Sequence, residues 1–93
     1  MIIAVDYDGT LELPDGMNMP LIARLRQQQR IGDTVILWTC REGRRLREAL
    51  NRLAGAGLVP NGVNENAPTV IARLGYNPRK IVADVYLDDK AVR

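Results

Sequence analysis

The sequence contains no histidine, no serine and no phenylalanine, and only one cysteine among its 93 residues. Without histidine and serine, a Ser-His-Asp triad and a histidine-ligated zinc site are both excluded. The single cysteine, Cys40, cannot form a disulfide within the chain, which fits a reducing compartment. The acid–base groups that remain are carboxylates, lysines, tyrosines and one thiol.

Long apolar runs and glycine-rich phosphate loops are also absent. No run approaches the roughly 20 apolar residues of a membrane-spanning helix. Residues 1–5 are too short for a signal peptide, because Asp6 follows them directly. Neither GxxxxGK[ST] nor GxGxxG occurs. The formal net charge is only +2, with acids and bases intermixed, which by itself indicates neither nucleic acid nor a membrane surface. We therefore expect a cytoplasmic protein with no membrane partner.

Aliphatic side chains dominate what is present. Apolar residues make up 46% of the chain, enough for the core of one small domain over residues 1–93. An unbroken apolar run at residues 1–5 and mainly apolar stretches at residues 34–38 and 81–87 predict buried strands. A weaker strand is predicted within residues 58–63.

Helical patterns separate these strands. The first helix has Pro20 in its first turn, and a short third helix begins at Pro68 and ends at Gly75, with Ile71 and Leu74 expected to face inward. The second, over residues 42–55, is the clearest, because its apolar residues recur on one face: Leu46, Ala49, Leu50, Leu53 and Ala54. Since strands alternate with helices, we predict an α/β fold with a Rossmann-like, doubly wound parallel sheet flanked by helices.

Reactive side chains follow three of the predicted strands. The first strand is followed by the motif DYDGT at residues 6–10, the second by Thr39-Cys40-Arg41, and the last by Asp88-Asp89. In an open parallel sheet, ligands bind outside the carboxyl ends of the strands. Four carboxylates that meet there need a counter-charge, and Mg²⁺ held by oxygen ligands supplies it.

This arrangement suits phosphoryl transfer. A carboxylate beside a phosphoryl group can attack phosphorus, and a second carboxylate two residues later can protonate the leaving oxygen and then activate water. Thr39 can hold phosphate oxygens, and Lys80 can offset their charge.

The motif DYDGT resembles the first motif, DxDGT, of the haloacid dehalogenase superfamily, whose phosphatases form an aspartyl-phosphate. The later motifs of that family follow in the same order, at Thr39, Lys80 and Asp88-Asp89. The stretches ILWTCREG and RKIVADVYLDDK are similar to those of small capless bacterial and phage members. The resemblance covers essentially the whole chain. Residues 9–19 and 58–80 are too short for an inserted cap, since a domain needs roughly 50 residues.

The resemblance also implies a role for each matching residue. Asp6 is similar to the nucleophile, Asp8 to the general acid–base, Thr39 to the phosphate-binding hydroxyl, and Lys80 to the lysine that steadies nucleophile and phosphate. Asp88 resembles the Mg²⁺ ligand.

Two further expectations concern the metal site. Asp6, through its carboxylate, and Asp8, through its main-chain carbonyl, complete the protein ligands of the metal. Asp89 is expected to support Asp88 without touching the metal.

Several polar residues also have ordinary structural explanations. Cys40 does not fit a Cx₅R phosphatase motif, because the sixth residue after it is Leu46, so a small buried or half-buried thiol is the better interpretation. Asp84 is interpreted as structural. The arginines of the second helix form a solvated face by default, although Arg41 is placed to contact a substrate phosphate.

Three functions remain in competition. The leading prediction is a Mg²⁺-dependent phosphomonoester hydrolase acting on a small phosphate ester or on a macromolecular end, for example a nucleic-acid end contacted by Arg41, Arg44 and Arg45. A regulatory module that binds Mg²⁺ and phosphate without turnover has the same residues. A receiver domain fits less well, because its acid pair follows the first strand and its phosphorylated Asp a middle strand, where this chain has Thr39.

Overall fold

The computed structural model describes residues 1–89, which form a parallel sheet, three helices and a small hairpin. In chain order the elements are β1 (Ile2–Asp6), β2 (Glu12–Leu13), β3 (Gly16–Met17), α1 (Met19–Arg30), β4 (Thr34–Trp38), α2 (Gly43–Gly55), β5 (Gly62–Val63), α3 (Pro68–Leu74) and β6 (Val85–Leu87).

The sheet has the strand order β5-β4-β1-β6, and all its pairings are parallel. The chain thus moves outward from β1 to β5 and then returns to the other side of β1, as in doubly wound folds. Asp6 pairs in register with Trp38 of β4, and Val5 pairs with Leu87 of β6. The carboxyl ends of these three adjacent strands therefore meet at one edge of the sheet.

Strand periodicity divides the core between the two faces of the sheet. Odd-numbered residues of β1 and β4, such as Val5 and Leu37, pack with Ile22 of α1 and Leu53 of α2. On the opposite face, Ile36 lies beside α3. Both faces of β1 and β4 are buried, which explains their mainly apolar sequences. The predicted α/β fold is confirmed.

The structure corrects several element bounds. The predicted strand over 81–87 is reduced to Val85–Leu87. The N–H groups of Val82 and Ala83 donate to side-chain oxygens of Asn66 and Tyr86, and only that of Asp84 donates to the main chain of β1. The predicted strand within 58–63 is reduced to Gly62–Val63. On α3, Ile71 is half-buried, but Leu74 is exposed and Val70 faces the core in its place.

The segment between β1 and α1 is a short flap, not a domain. It contains the antiparallel β2–β3 hairpin, and Asn18 begins α1 by accepting a hydrogen bond from the Leu21 N–H. No inserted cap occurs within residues 1–89. None of the helices in this part of the chain has the length and apolar character needed to span a bilayer.

Candidate active site at the carboxyl edge of the sheet

Asp6 ends β1 and is half-buried at the carboxyl edge. Burial raises the pKa of its carboxyl group, and a hydrogen bond from the main chain of Tyr7 opposes this only in part. The negative charges of Asp89, Asp8 and Asp88 raise the pKa of Asp6 further. The predicted acids therefore act on one another electrostatically around Asp6.

The loop after β1 folds tightly over the end of the strand. The main-chain oxygen of Tyr7 accepts hydrogen bonds from the N–H groups of residues 10–12, at distances between 2.9 and 3.2 Å. Gly9 has φ +78°, and a Cβ there would lie 3.2 Å from the Asp89 Cβ. Glycine in DYDGT thus allows both the turn and the close approach of Asp89.

Asp8, which follows β1, forms an ion pair with Arg41, which follows β4. Nε and Nη2 of Arg41 donate to the two carboxylate oxygens of Asp8 at 3.0 and 2.7 Å. The Arg41 side chain is only 10% exposed, whereas that of Asp8 is 54% exposed. The guanidinium also lies 4.7 Å from the centre of the Tyr7 ring. Hydrogen bonding to Arg41 lowers the pKa of the Asp8 carboxyl.

Glu12 ties the flap to the same guanidinium. Its Oε2 lies 3.5 Å from Nη2 of Arg41, and its Oε1 contacts Nη1 of Arg52 on α2. The buried hydroxyl of Tyr7 donates to Oε1 at 2.9 Å. This hydrogen bond is the largest cause that lowers the pKa of Glu12, and the two arginines lower it further. The flap is therefore held closed against α2 and the end of β4.

Thr39 follows β4 and takes part in two hydrogen bonds, each between a main-chain N–H and a side-chain oxygen. Its N–H donates to Oδ1 of Asn64 at 2.8 Å, and its hydroxyl oxygen accepts from the Arg41 N–H at 3.1 Å. Asn64 has φ +54°, and its own N–H donates to the Leu37 oxygen. The end of β5 thus orients the end of β4, and the Thr39 hydroxyl proton remains available to a phosphate oxygen.

The segment that carries Lys80 is organised by the buried Asn66. The amide nitrogen of Asn66 donates to the side chain of Asn77 and to the main-chain oxygens of Pro78 and Lys80, at distances of 2.9–3.0 Å. Its oxygen accepts from the Val82 N–H at 2.6 Å. The Asn66 amide therefore satisfies several main-chain hydrogen-bonding groups of a loop that pairs with no strand.

Thr39, Cys40 and Lys80 line a cavity of about 650 Å³ beside the carboxyl edge. No hydrogen bond or ion pair joins Lys80 to Asp6 in the described part of the chain. The predicted lysine is thus near Thr39 but does not contact the predicted nucleophile. Lys90, the other lysine of the chain, lies outside the described residues.

The oxygen donors at this edge fit a hard divalent cation. Asp88 follows Leu87, the register partner of Val5, so it lies beside Asp6 across the sheet. Within residues 1–89, no three acidic or thiol side chains form a metal-ligating cluster. Mg²⁺ needs only one or two carboxylates, with a carbonyl, substrate oxygens and water completing its shell. The Asp6 and Asp88 carboxylates with the Asp8 carbonyl match that requirement.

Among the residues interpreted as structural, Asp84 and the helix arginines lie as expected, but Cys40, which was predicted to be buried or half-buried, is exposed, so that prediction is wrong. Oδ2 of Asp84 accepts from the Ile2 N–H at 2.6 Å, and the Asp84 N–H donates to the Ile2 oxygen, so this residue fastens β1 to the start of β6. Cys40 is a free, exposed thiol. The other arginines of the second helix, Arg44, Arg45, Arg47 and Arg52, are exposed.

Comparison with known proteins finds a relative among the solved structures. No protein-family model matches the chain, and no curated protein does so. A solved structure of a conserved protein from Bacteroides thetaiotaomicron is 34% identical, with a TM-score of 0.79, over 99% of this chain and 78% of that one. This chain belongs to the same family as that protein. The description of the relative as a conserved protein names no activity, so function rests on the site itself.

Sequence patterns gave little sign of three residues that shape the site in this family member. Asn64 and Asn66 lie in a polar, proline-containing stretch, which indicates a turn. That pattern does not indicate that Asn64 orients Thr39 or that Asn66 orients the loop of Lys80. Glu12 lies in a flap where a surface charge is the ordinary expectation. Hydrogen bonds that span 25 residues, as between Thr39 and Asn64, leave no local signature.

Proposed function

We propose that the protein is a Mg²⁺-dependent phosphomonoester hydrolase that forms an aspartyl-phosphate on Asp6. One observation carries the proposal: Asp6 lies at the carboxyl end of a central strand, where burial and then the charges of three other acids raise the pKa of its carboxyl group. Structural roles do not account for such a cluster, because like charges at one edge cost stability unless a cation or function compensates. We also infer a cytoplasmic location, from the free thiol of Cys40.

In the first half of the reaction, a carboxylate oxygen of Asp6 attacks phosphorus. The bond between phosphorus and the ester oxygen breaks, and Asp8 gives its proton to the departing oxygen. In the second half, Asp8 takes a proton from water, and that water attacks phosphorus. Inorganic phosphate leaves and the Asp6 carboxylate is restored. Thr39 donates a hydrogen bond to a phosphate oxygen throughout.

Mg²⁺ would be held by the carboxylates of Asp6 and Asp88 and by the carbonyl of Asp8. When bound, it neutralises the charge that accumulates on the phosphoryl oxygens. Asp89, whose Cβ approaches Gly9, supports this part of the loop. Lys80 adds positive charge from the cavity side.

Arg41 has to change partner for Asp8 to act as an acid. Its pairing with Asp8 stabilises the carboxylate, which is the wrong protonation state for the first step. A substrate phosphate competes for the same guanidinium, because both ligands offer paired anionic oxygens. Substrate binding thus transfers Arg41 to the phosphate and lets the pKa of Asp8 rise.

The deciding experiment measures hydrolysis of an aryl phosphate with Mg²⁺ and with chelator. Asp6→Asn should reduce turnover by three or more orders of magnitude, as expected for loss of a covalent nucleophile. Cys40→Ala serves as the matched control and should keep most of the activity. Near-parental turnover by Asp6→Asn would defeat the proposed mechanism, and loss of activity in a folded Cys40→Ala would support a thiol nucleophile.

A second candidate, a module that binds Mg²⁺ and phosphate without turnover, is favoured by the Asp8–Arg41 pair. An Asp8 held permanently as a carboxylate cannot protonate a leaving group. Calorimetric binding of inorganic phosphate, with no hydrolysis of any ester in a broad panel, identifies this function. Turnover of one ester that depends on Asp6 excludes it.

A further inference from the structure

Two exposed aromatic rings line the cavity beside the proposed reaction site. Trp38 and Tyr86 are 36% and 46% exposed, although large aromatic side chains are usually well buried. The cavity of about 650 Å³ is within the range of small-molecule pockets, roughly 300–1,000 Å³. Thr39 lines this cavity too, so it is continuous with the proposed phosphate position.

The strand register puts both rings on the face that carries Asp6. Trp38 pairs with Asp6, and Tyr86 pairs with Ala4, two residues before Asp6 on the same strand. Paired residues of parallel strands share a face. Since β1 lies between the two strands that carry the rings, their backbones are about 10 Å apart, roughly twice the strand spacing. That span leaves room for a planar ligand group.

Tyr86 is held in place by its hydroxyl group. The hydroxyl donates to the Ile81 oxygen at 2.7 Å and accepts from the Ala83 N–H at 3.0 Å. The polar end of the side chain is thus satisfied within the protein, and the part left exposed is the aromatic ring. A fixed ring contacts a ligand at little cost in conformational entropy.

Positive charge borders the rings. Arg79 and Lys80 line the cavity, and none of its described lining residues is acidic. The lining therefore favours a ligand with an aromatic part and an anionic part, and disfavours a cationic one.

We propose that the cavity binds the base of a nucleotide, so that the substrate is a phosphomonoester whose leaving group is a nucleoside. The base contacts Trp38 and Tyr86, and the ester phosphate reaches Thr39 at the cavity edge. Arg79 and Lys80 balance the charge of the sugar-phosphate. This proposal deepens the proposed hydrolase function and rests on it. A free mononucleotide and the terminal nucleotide of an oligonucleotide offer the same chemistry.

The single tryptophan gives a direct test. Titrating Asp6→Asn protein with adenosine 5′-monophosphate should quench Trp38 fluorescence, because a base stacks on the only indole in the chain. Ribose 5-phosphate, which has the phosphate but no base, should quench little. A 5′-phosphorylated oligonucleotide should quench at lower concentration than the mononucleotide only if the terminal nucleotide is the natural form.

Tyr86→Leu should weaken binding of adenosine 5′-monophosphate roughly 5- to 150-fold, as expected for loss of one stacking ring. Tyr86→Phe keeps the ring but loses the hydroxyl that fixes it, so it should lose less affinity than Tyr86→Leu. Tyr76→Leu is the matched control, since Tyr76 is 62% exposed and does not line the cavity; it should bind normally.

The outcomes separate this inference from the hydrolase proposal. Equal turnover of ribose 5-phosphate and the nucleotide, with unchanged Trp38 fluorescence, overturns the base site and leaves hydrolysis intact. Quenching by the nucleotide without hydrolysis of any ester supports the base site and contradicts the hydrolase. Equal affinity of Tyr86→Leu and the parent protein contradicts the proposed ring contact.

Discussion

At the scale of single residues, the position of Asp6 in the folded protein disfavours the charged form of its carboxyl group. Its raised pKa means that the charged carboxylate is less stable in the folded chain than in the unfolded one. The half-buried position and the neighbouring acids both contribute, with burial the larger cause. Functional groups are often held at such a cost in stability.

We predict that Asp6→Asn stabilises the metal-free protein at neutral pH. The gain should be on the order of 1 kcal/mol, because solvent screens a half-exposed group, which is roughly 4–8 °C in Tm for a domain of this size. The gain should disappear at acidic pH, where Asp6 is protonated in both states. Thermal unfolding in chelator measures it, with Asp15→Asn in the exposed β2–β3 turn as control. A lower Tm for Asp6→Asn at neutral pH contradicts the argument.

The Asp8–Arg41 pair has the opposite effect, because it lowers the pKa of the Asp8 carboxyl in the folded protein. We predict that Arg41→Met raises the pKa of Asp8 toward its ordinary value, as measured by carboxyl NMR during a pH titration. Because the Asp8 pKa is lowered in the folded protein, the stability from this pair is present at neutral pH and is lost as pH falls through that lowered pKa. Arg44→Met, which removes an exposed charge at the start of α2, is the control. An unchanged Asp8 titration in Arg41→Met would show that the pair does not form in solution.

At the scale of elements, the end of α2 depends on one glycine. Gly57 has φ +96°, and a Cβ there would lie 2.8 Å from Cζ of Arg26 on α1. Its N–H donates to the Ala54 oxygen, and the next N–H, of Leu58, donates to the Leu53 oxygen, as in a Schellman motif. The motif directs the chain from α2 toward β5.

We predict opposite effects for two alanine substitutions at this helix end. Gly57→Ala should lower stability by about 1–2 kcal/mol because of its left-handed backbone, whereas the flexible end of Arg26 can move away from the added Cβ. Gly55→Ala, at a helical position with open space around it, should be neutral or raise stability by up to about 1 kcal/mol. Urea unfolding of both variants compares them directly. Equal effects of the two would mean that the motif is unimportant for stability.

Asn66 has a similar role for the loop that carries Lys80. We predict that Asn66→Ala lowers stability by about 2–3 kcal/mol, because it leaves the Pro78 oxygen, the Lys80 oxygen and the Val82 N–H without their partner. The Val82 amide should exchange with solvent faster, as measured by hydrogen exchange. Asn51→Ala on the exposed face of α2 is the control. Unchanged exchange at Val82 in Asn66→Ala would contradict the organising role.

At the scale of the whole molecule, the part of the reactive edge formed by residues 1–89 is covered by a short flap and by no domain. Glu12, Arg41 and Arg52 link the flap to the sheet and to α2 through ion pairs. A single layer of this kind excludes water less completely than a domain would. We therefore expect a ligand bound at this edge to add to the stability of the folded protein.

We predict that Mg²⁺ raises the Tm of the whole protein by mass action. At ten times its Kd, the gain is about 1.4 kcal/mol, or roughly 6–11 °C. Asp88→Asn should lose most of this shift, whereas Asp84→Asn, which keeps an oxygen for the Ile2 N–H, should retain it. Differential scanning fluorimetry with Mg²⁺ and chelator compares the three proteins. A full shift in Asp88→Asn would move the metal site elsewhere.

The sequence by itself determined the order of strands and helices, the parallel sheet, and the positions of the acids at strand ends. These features follow from local patterns: apolar runs, helical periodicity and the placement of glycine and proline. Strand β4 was predicted at its observed bounds, residues 34–38. The acids of DYDGT and Asp88-Asp89 were expected at one edge, because parallel strands bring their carboxyl ends together.

Only the tertiary structure decided which side chains meet. The Asp8–Arg41 pair joins residues 33 positions apart, and Asn66 reaches Lys80 across 14 positions. The aromatic cavity depends on β6 lying beside β1, which puts Tyr86 on the face of Trp38. Such contacts depend on strand order and on how closely elements approach. Local patterns specify neither, because each element buries its apolar face equally well against several partners.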